Sequence, residues 1–345
     1  MLRLLVIAVL AALAAQSQSP QPEVPRAPVA SQTQPQLIYP CTAIRTGEAE
    51  AAPVASYVDE SIPVLKKQVP TLRSIRVDAA PDPTASILDH TGEVLADLLH
   101  RIPNLIAKEE VRRTLDPGPP SSIPLGRRGG ELEATQNDST VTRYKSRDYV
   151  YRIEPGRGLA GTEILKEFRA DAHGHPIDDS GLDPDSPRNI GFATSWLFFL
   201  PINRPESSFR YLGQQKIGKH DTFVVAFAQN PGHDRLNTVV DFGQGQCSTP
   251  RQGVAWVDQS SYRILRMQTD LISPLPAIPL TLLRSELDYI EVRIPERDLV
   301  LWLPATVKNS WQAPGISGDE LHIYSHYRLF GSTIRIVPDT EIPPP

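Results

Sequence analysis

From about residue 138 to residue 337 the chain alternates apolar and polar positions in short runs bounded by Gly, Pro, Asn or Asp. Such runs predict consecutive β-strands. They fall at 139–155, 162–178, 207–229, 236–243, 253–271, 283–294, 299–312 and 319–337. With no amphipathic helices between them, they predict an antiparallel meander in place of βαβ units. The run GVAWVDQSSYRILRMQTDL, Gly253 to Leu271, reads as a hairpin turning at Asp258-Gln259-Ser260-Ser261. In its second half, alternation puts Leu265, Met267 and Leu271 on one face with Arg263 and Thr269. Ile264, Arg266, Gln268 and Asp270 take the other face. One stretch breaks the pattern: NIGFATSWLFFLP, 189–201, gathers Trp196, Leu197, Phe198, Phe199 and Leu200 before Pro201 and reads as an apolar helical insert.

Helical spacing is clearest at 86–101, where Ile87, Val94, Leu95, Leu98 and Leu99 form one stripe and Pro103 ends the segment. The next stretch, NLIAKEEVRRTL at 104–115, suggests a second short helix before the loop 116–130. Upstream, Met1-Leu2-Arg3 followed by the apolar run to Ala15 has the layout of a secretory signal peptide, its apolar run being short for a stable span, with an uncleaved N-terminal membrane anchor as the alternative. Residues 16–83 are rich in Pro and are expected to be disordered or extended. The expected division is therefore a signal peptide at 1–15, that N-terminal segment, one domain at 84–337 and a tail at 338–345. No later apolar run approaches a membrane span, so the mature chain is expected to be exported, to the periplasm or beyond.

Charge narrows the partners. Lys and Arg number 35 against 40 Asp and Glu, a net −5, and the basic residues are scattered. Nucleic-acid binding needs a concentrated basic footprint, which is absent. Cys41 and Cys247 lie far apart in sequence; in an oxidising compartment they either form one disulfide or stay two unrelated thiols. His173 and His175, with Asp178 and Asp179 nearby, are a weak metal candidate that reads equally as a solvated hairpin tip at Gly174. His322, Tyr324, His326 and Arg328 share a strand face and read as a polar exterior, with a proton-handling role as the alternative. Asp178, Asp179, Asp183 and Asp185 make a poor calcium loop. The sequence carries no nucleophile elbow, zinc-protease helix or phosphate loop.

Helix, strands, apolar insert, then GxAWVDxxxYRILR (253–266), DYxxV (288–292), LWLPATVK (301–308) and YxxYRLF (324–330) form an ordered series over 86–337. In that order the chain resembles a group of uncharacterised exported bacterial proteins whose C-terminal part looks like the periplasmic lipoprotein-sorting carriers. The resemblance implies a mainly β (α+β) fold: a curved antiparallel sheet forming an unclosed half-barrel, with an N-terminal amphipathic helix and a helical insert. It also implies a concavity that accepts acyl chains. Candidate lining residues are Trp196, Phe198, Phe199, Leu265, Met267, Leu271, Leu301, Trp302 and Leu303, although a filled core has the same signature. The expected function is a non-catalytic carrier or binding protein for a lipid or acylated molecule, without a cofactor. The alternatives are an envelope protein with a filled core that engages a protein partner, and a hydrolase assembled from distant residues.

Overall fold

The structure, a computed structural model, describes residues 39–40, 55–78, 81–117, 143–157, 163–171, 173, 175, 192–233, 236, 238–241, 246–273, 280–313 and 315–331. In chain order its strands are β1 (Tyr39–Pro40), β2 (Leu105–Pro117), β3 (Arg143–Arg157), β4 (Glu163–Ala170), β5 (Ser207–Ile217), β6 (His220–Gln229) and β7 (Thr238–Asp241). These are followed by β8 (Gln246–Thr249), β9 (Arg251–Asp258), β10 (Ile264–Leu271), β11 (Leu282–Ile294), β12 (Leu299–Ala313) and β13 (Ile316–Leu329). Among the described residues two α-helices, α1 (Ile62–Gln68) and α2 (Thr84–Arg101), precede β2. Ten strands form one sheet in the order β4-β3-β2-β13-β12-β11-β10-β9-β6-β5. Every pairing within it is antiparallel, and its two edge strands, β4 and β5, do not pair with each other. The sheet is an unclosed half-barrel. Short connections explain the pairing of β9 with β10, β11 with β12 and β12 with β13, because sequential strands joined tightly can pair only antiparallel. β1, β8 and β7 make a separate small sheet.

The stretch 104–115 is strand β2 and not a second helix. Leu105, Ala107, Glu109, Val111, Arg113 and Leu115 are all buried, which is a period of two. Lys108, Glu110 and Arg112 take the opposite face. Hydrogen bonding to β13 on one side and β3 on the other overrides the helical tendency of Lys, Glu and Arg here. Tertiary pairing decides it.

α2 begins two residues before the expected helix. Asp82 Oδ1 accepts from the Thr84 backbone N–H at 2.9 Å and from its hydroxyl at 2.5 Å, satisfying groups that the first turn leaves open. Its buried stripe, Ile87, Leu88, Thr91, Leu95, Leu98 and Leu99, faces the inner side of the sheet. Beside it the 3-10 helix Phe192–Phe199 sends Trp196, Phe198 and Phe199 into the same cluster. Phe198 and Phe227 lie 4.8 Å apart between centroids, and Phe199 meets Phe209 and Phe227 edge-on at 5.3 and 5.6 Å. Gly253 is glycine because the Gln268 backbone carbonyl and then the Phe227 ring occupy the space its Cβ would need.

The outer face is also covered. Residues 16–83 were expected to be disordered or extended, yet the stretch 55–78 within them holds α1 and a 3-10 turn, Pro70–Ser74. It buries Tyr57, Leu65, Val69, Leu72 and Ile75 against Leu212, Val224, Ala226, Val254 and Trp256. Polar contacts fix the segment: Tyr57 donates to Asp270 Oδ2 at 2.9 Å, and Arg210 donates to the carbonyls of Val58 and Glu60. Arg76 and Gln214 exchange backbone hydrogen bonds beside Gly213, whose φ of 137° admits a carbonyl where a Cβ would collide. Pro-rich composition concealed a short but dense apolar pattern.

Strict alternation in β10 also fails at one point. A bulge between Ile264 and Arg266 shifts the register against β9. Ile264 thereby joins Met267 in the inner core, whereas alternation had placed them on opposite faces.

Candidate functional site

Between α2 and the inner face of the sheet lies a cavity of about 340 Å³. One turn and a half of α2 supplies Val94, Leu95 and Leu98, and the insert supplies Trp196. The sheet supplies Ile264 from β10, Tyr289 from β11, and Val300 and Trp302 from β12. Glu93, Asp97, Arg101 and Arg263 are the charged groups of its lining. They are internally compensated: Arg101 pairs with Asp97 at 2.5 Å, and Arg263 lies 4.0 Å from Glu291 with its guanidinium 5.5 Å from the Trp302 ring centre. Trp302 Nε1 donates to the Ile264 carbonyl at 2.9 Å, which fixes the indole and turns its apolar face to the cavity wall. The volume falls at the lower end of the range for small-molecule pockets, ~300–1,000 Å³. It admits one acyl chain or a comparable apolar group.

Tyr289 is a buried polar residue of this lining, which also includes Ser261. It is 6% exposed, and its hydroxyl has no hydrogen-bond partner among the described residues. Burial first, and then the nearby Glu167 carboxylate, push its pKa up, so the phenol stays protonated. Tyr151, Tyr324 and Tyr327 are shifted upward in the same way, and Glu167 contributes to each. Tyr327 donates to the Pro304 carbonyl at 2.8 Å.

A second buried polar group lies on β2, β4, β12 and β13. Glu109 is fully buried and receives Arg169 through two contacts, 2.7 and 3.0 Å. Tyr324 donates to Glu109 at 2.9 Å, and His322 Nδ1 lies 2.8 Å from the same carboxylate. Burial by itself would raise the Glu109 pKa, but the Arg169 charge and the hydrogen bonds outweigh it and hold it at about 2. Burial likewise opposes the His322 charge, and the bonds to Glu109 and Glu320 overcome it, so His322 titrates above its ordinary value. The far nitrogen of His322 faces Asn309 at 3.3 Å and Glu320 at 3.6 Å. Glu320 also pairs with Arg113. An imidazole whose two nitrogens are both engaged has no lone pair aimed at a substrate, which makes this a structural network.

These findings correct the reading of His322 and Tyr324 as an exterior face. Both are buried, and a bulge between Ser325 and Arg328, with His326 at a φ of 55°, breaks the face before Arg328. Of the candidate lining residues, Trp196 and Trp302 border the cavity. Phe198, Phe199, Met267, Leu301 and Leu303 pack in the inner core, and Leu265 is buried. Leu271 belongs to a second cluster with Leu115, Leu280, Leu283 and Trp311. Tyr289 and Glu109 were not singled out from sequence; the signals were the DYxxV strand and the period-two burial of β2.

His173 and His175 are exposed, with Asp171 Oδ1 accepting from both backbone N–H groups at 2.8 and 2.9 Å. Asp178, Asp179, Asp183 and Asp185 lie outside the described residues, as do Cys41 and residues 1–15. Among the described residues no three His, Cys, Asp or Glu gather as a metal site would need, and no helix is long and apolar enough to cross a membrane. Cys247 stands in β8 opposite Tyr39, two positions before Cys41 in sequence.

No family model and no curated protein matches the chain. Solved structures do. One is a DUF1329 family protein from Desulfovibrio piger, 13% identical, with a TM-score of 0.33, covering 72% of this chain and 94% of that one. A putative outer membrane lipoprotein-sorting protein domain from Vibrio parahaemolyticus is 13% identical, with a TM-score of 0.33, covering 70% and 92%. A LolA superfamily protein from Nitrosomonas europaea is 14% identical, with a TM-score of 0.32, covering 74% and 96%.

Proposed function

We propose that the protein is an exported, non-catalytic carrier or binding protein for a lipid or acylated amphiphile whose apolar part enters the cavity beneath α2. The observation that supports this reading is the cavity itself, whose lining combines aliphatic and indole side chains with paired charges. Its energetics are adequate. Roughly eight buried methylenes at ~0.8 kcal/mol each contribute about 6 kcal/mol, which survives the lower estimates of the cost of association. The candidate lining residues divide accordingly: Trp196 and Trp302 would touch ligand, and the core residues would support them.

Native mass spectrometry of protein purified from its own envelope tests the proposal. The expected result is one amphiphile per chain, released by solvent extraction. Val94→Trp fills the cavity from the half-buried side of α2, and is expected to weaken binding of a neutral fluorescent apolar probe about tenfold or more with little change in folding. A ligand-free chain that displaces no probe would sink the reading. A second reading, an envelope interaction protein with a filled interior, is favoured by the stack of Phe198, Phe199, Phe209 and Phe227, which fills the space under the insert. It predicts that empty chain.

A further inference from the structure

The outer face of the sheet carries a patch that the cavity does not explain. Among the described residues five large apolar side chains are exposed, and two of them, Phe168 (44%) and Phe330 (36%), meet at Arg152. Phe168 stands opposite Arg152 on the neighbouring strand, and the Arg152 guanidinium lies 4.0 Å from the Phe330 ring centre. The register continues this row to half-buried Ile106 in β2 and exposed Arg328 in β13. Two positions before Phe168 on β4, Lys166 is exposed on the same face. Of these three cations only Arg152 pairs with a carboxylate among the described residues, Glu154 at 2.5 Å. We infer that this patch docks the protein peripherally on a bilayer surface that carries anionic phospholipids.

The chemistry of the patch suits a layer of lipid headgroups. Phenyl rings gain by entering the boundary between headgroups and acyl chains, while long Lys and Arg stems keep their charges at the phosphates. Each cation held at an anionic surface adds to the attraction. The chain as a whole is net −5 and would be repelled there, so binding has to come from a local cluster. A protein partner fits less well. At ~4.8 Å per strand and ~3.3 Å per residue the patch spans roughly 200 Å², far short of the ~800 Å² per partner of a stable protein interface. Its position also suits a bilayer. Only Ile102 to Leu105 separate Ile106 from Arg101, the last residue of α2 and part of the cavity lining. Docking brings that end of α2 to the membrane surface, whatever the cavity holds.

The test is co-sedimentation of the full chain with vesicles of phosphatidylglycerol and phosphatidylethanolamine, compared with vesicles of phosphatidylcholine. Wild type is expected to bind the anionic vesicles about tenfold better and to lose that excess in about 0.5 M salt, which screens exposed charges. Lys166→Gln combined with Arg328→Gln should lower binding about twentyfold, at roughly fivefold per cation. Phe168→Ser combined with Phe330→Ser should lower it about tenfold. All four side chains are exposed, so circular dichroism and probe binding in the cavity are expected to match wild type. Every variant keeps the wild-type N-terminus, so a difference in vesicle binding belongs to the patch. Hydrogen exchange on wild type is the second readout, with vesicles expected to protect β4 and the end of β13. Equal binding by wild type and both double variants overturns the inference, as does no preference for anionic vesicles. A wild-type dimer that Phe168→Ser with Phe330→Ser dissociates, in place of vesicle binding, assigns the patch to a second copy and overturns it too. Should the variants not fold, the exchange pattern of wild type decides, and protection confined to other strands counts against the patch.

Discussion

Glu109 shows how much a single inward position can carry. A carboxylate with no exposed surface is tolerated because Arg169, His322 and Tyr324 all converge on it. Removing one partner of such a pair strands the other, at a cost of ~3–5 kcal/mol. Glu109→Gln is expected to destabilise the protein by about that much in urea titration, with probe binding at the α2 cavity little changed at temperatures where the variant is folded. Its pH signature follows from the direction of each shift. Glu109 is held at about 2 from an ordinary value of 4.5, so its contribution is complete above 4.5 and is lost as pH falls towards 2. His322 is shifted upward, so its contribution is complete below 6.5 and declines as pH rises through its folded value. Glu109→Gln should flatten the acid limb of the stability profile; an unchanged limb would mean that other carboxylates govern it. His322 and Tyr324 were read in the sequence as one strand face, but their convergence on Glu109 was not legible there. Glu109 and His322 are 213 positions apart, and only the pairing of β2 with β13 brings them together.

Elements were legible where one pattern acted alone. The apolar stripe of α2 is readable because one side of a helix meets one side of a sheet. The strands β9 to β13 are readable because turn residues punctuate their alternation. Legibility failed where two constraints met. In β2, residues with helical preference are held extended by neighbours on both sides, and in β10 a bulge reverses the faces that strict alternation assigns. The segment 55–78 escaped notice because its apolar residues are few and its partners lie on β5, β6 and β9. That segment acts as an outer brace. Leu72 is 1% exposed within it, and Leu72→Ala is expected to cost ~2–5 kcal/mol. Because it packs on the face away from the cavity, probe affinity should be unchanged at temperatures where the protein is folded. A parallel loss of affinity would show that the two faces of the sheet are energetically coupled.

For the molecule as a whole, the unusual number of buried phenols sets its behaviour in alkali. Burial pushes Tyr57, Tyr289, Tyr151, Tyr324 and Tyr327 well above the ordinary tyrosine value, and Tyr211 up to about 12. In the unfolded chain each would ionise near pH ~10. Above that pH the unfolded state holds fewer protons than the folded one, so stability falls as pH rises from about 10 towards the folded values. Arg251 acts in the opposite sense. Burial lowers it to about 10, so its charge penalises the fold below that pH and is relieved above it. One relieved cation does not offset several phenols. The expected outcome is a cooperative alkaline transition in which tyrosinate absorbance and loss of circular dichroism rise together, since the inner phenols cannot ionise while the sheet is closed over them. Gradual ionisation near pH ~10 with the fold intact would mean that water reaches these hydroxyls freely. The interior beneath α2 would then be wet, and an apolar chain would gain far less by entering it.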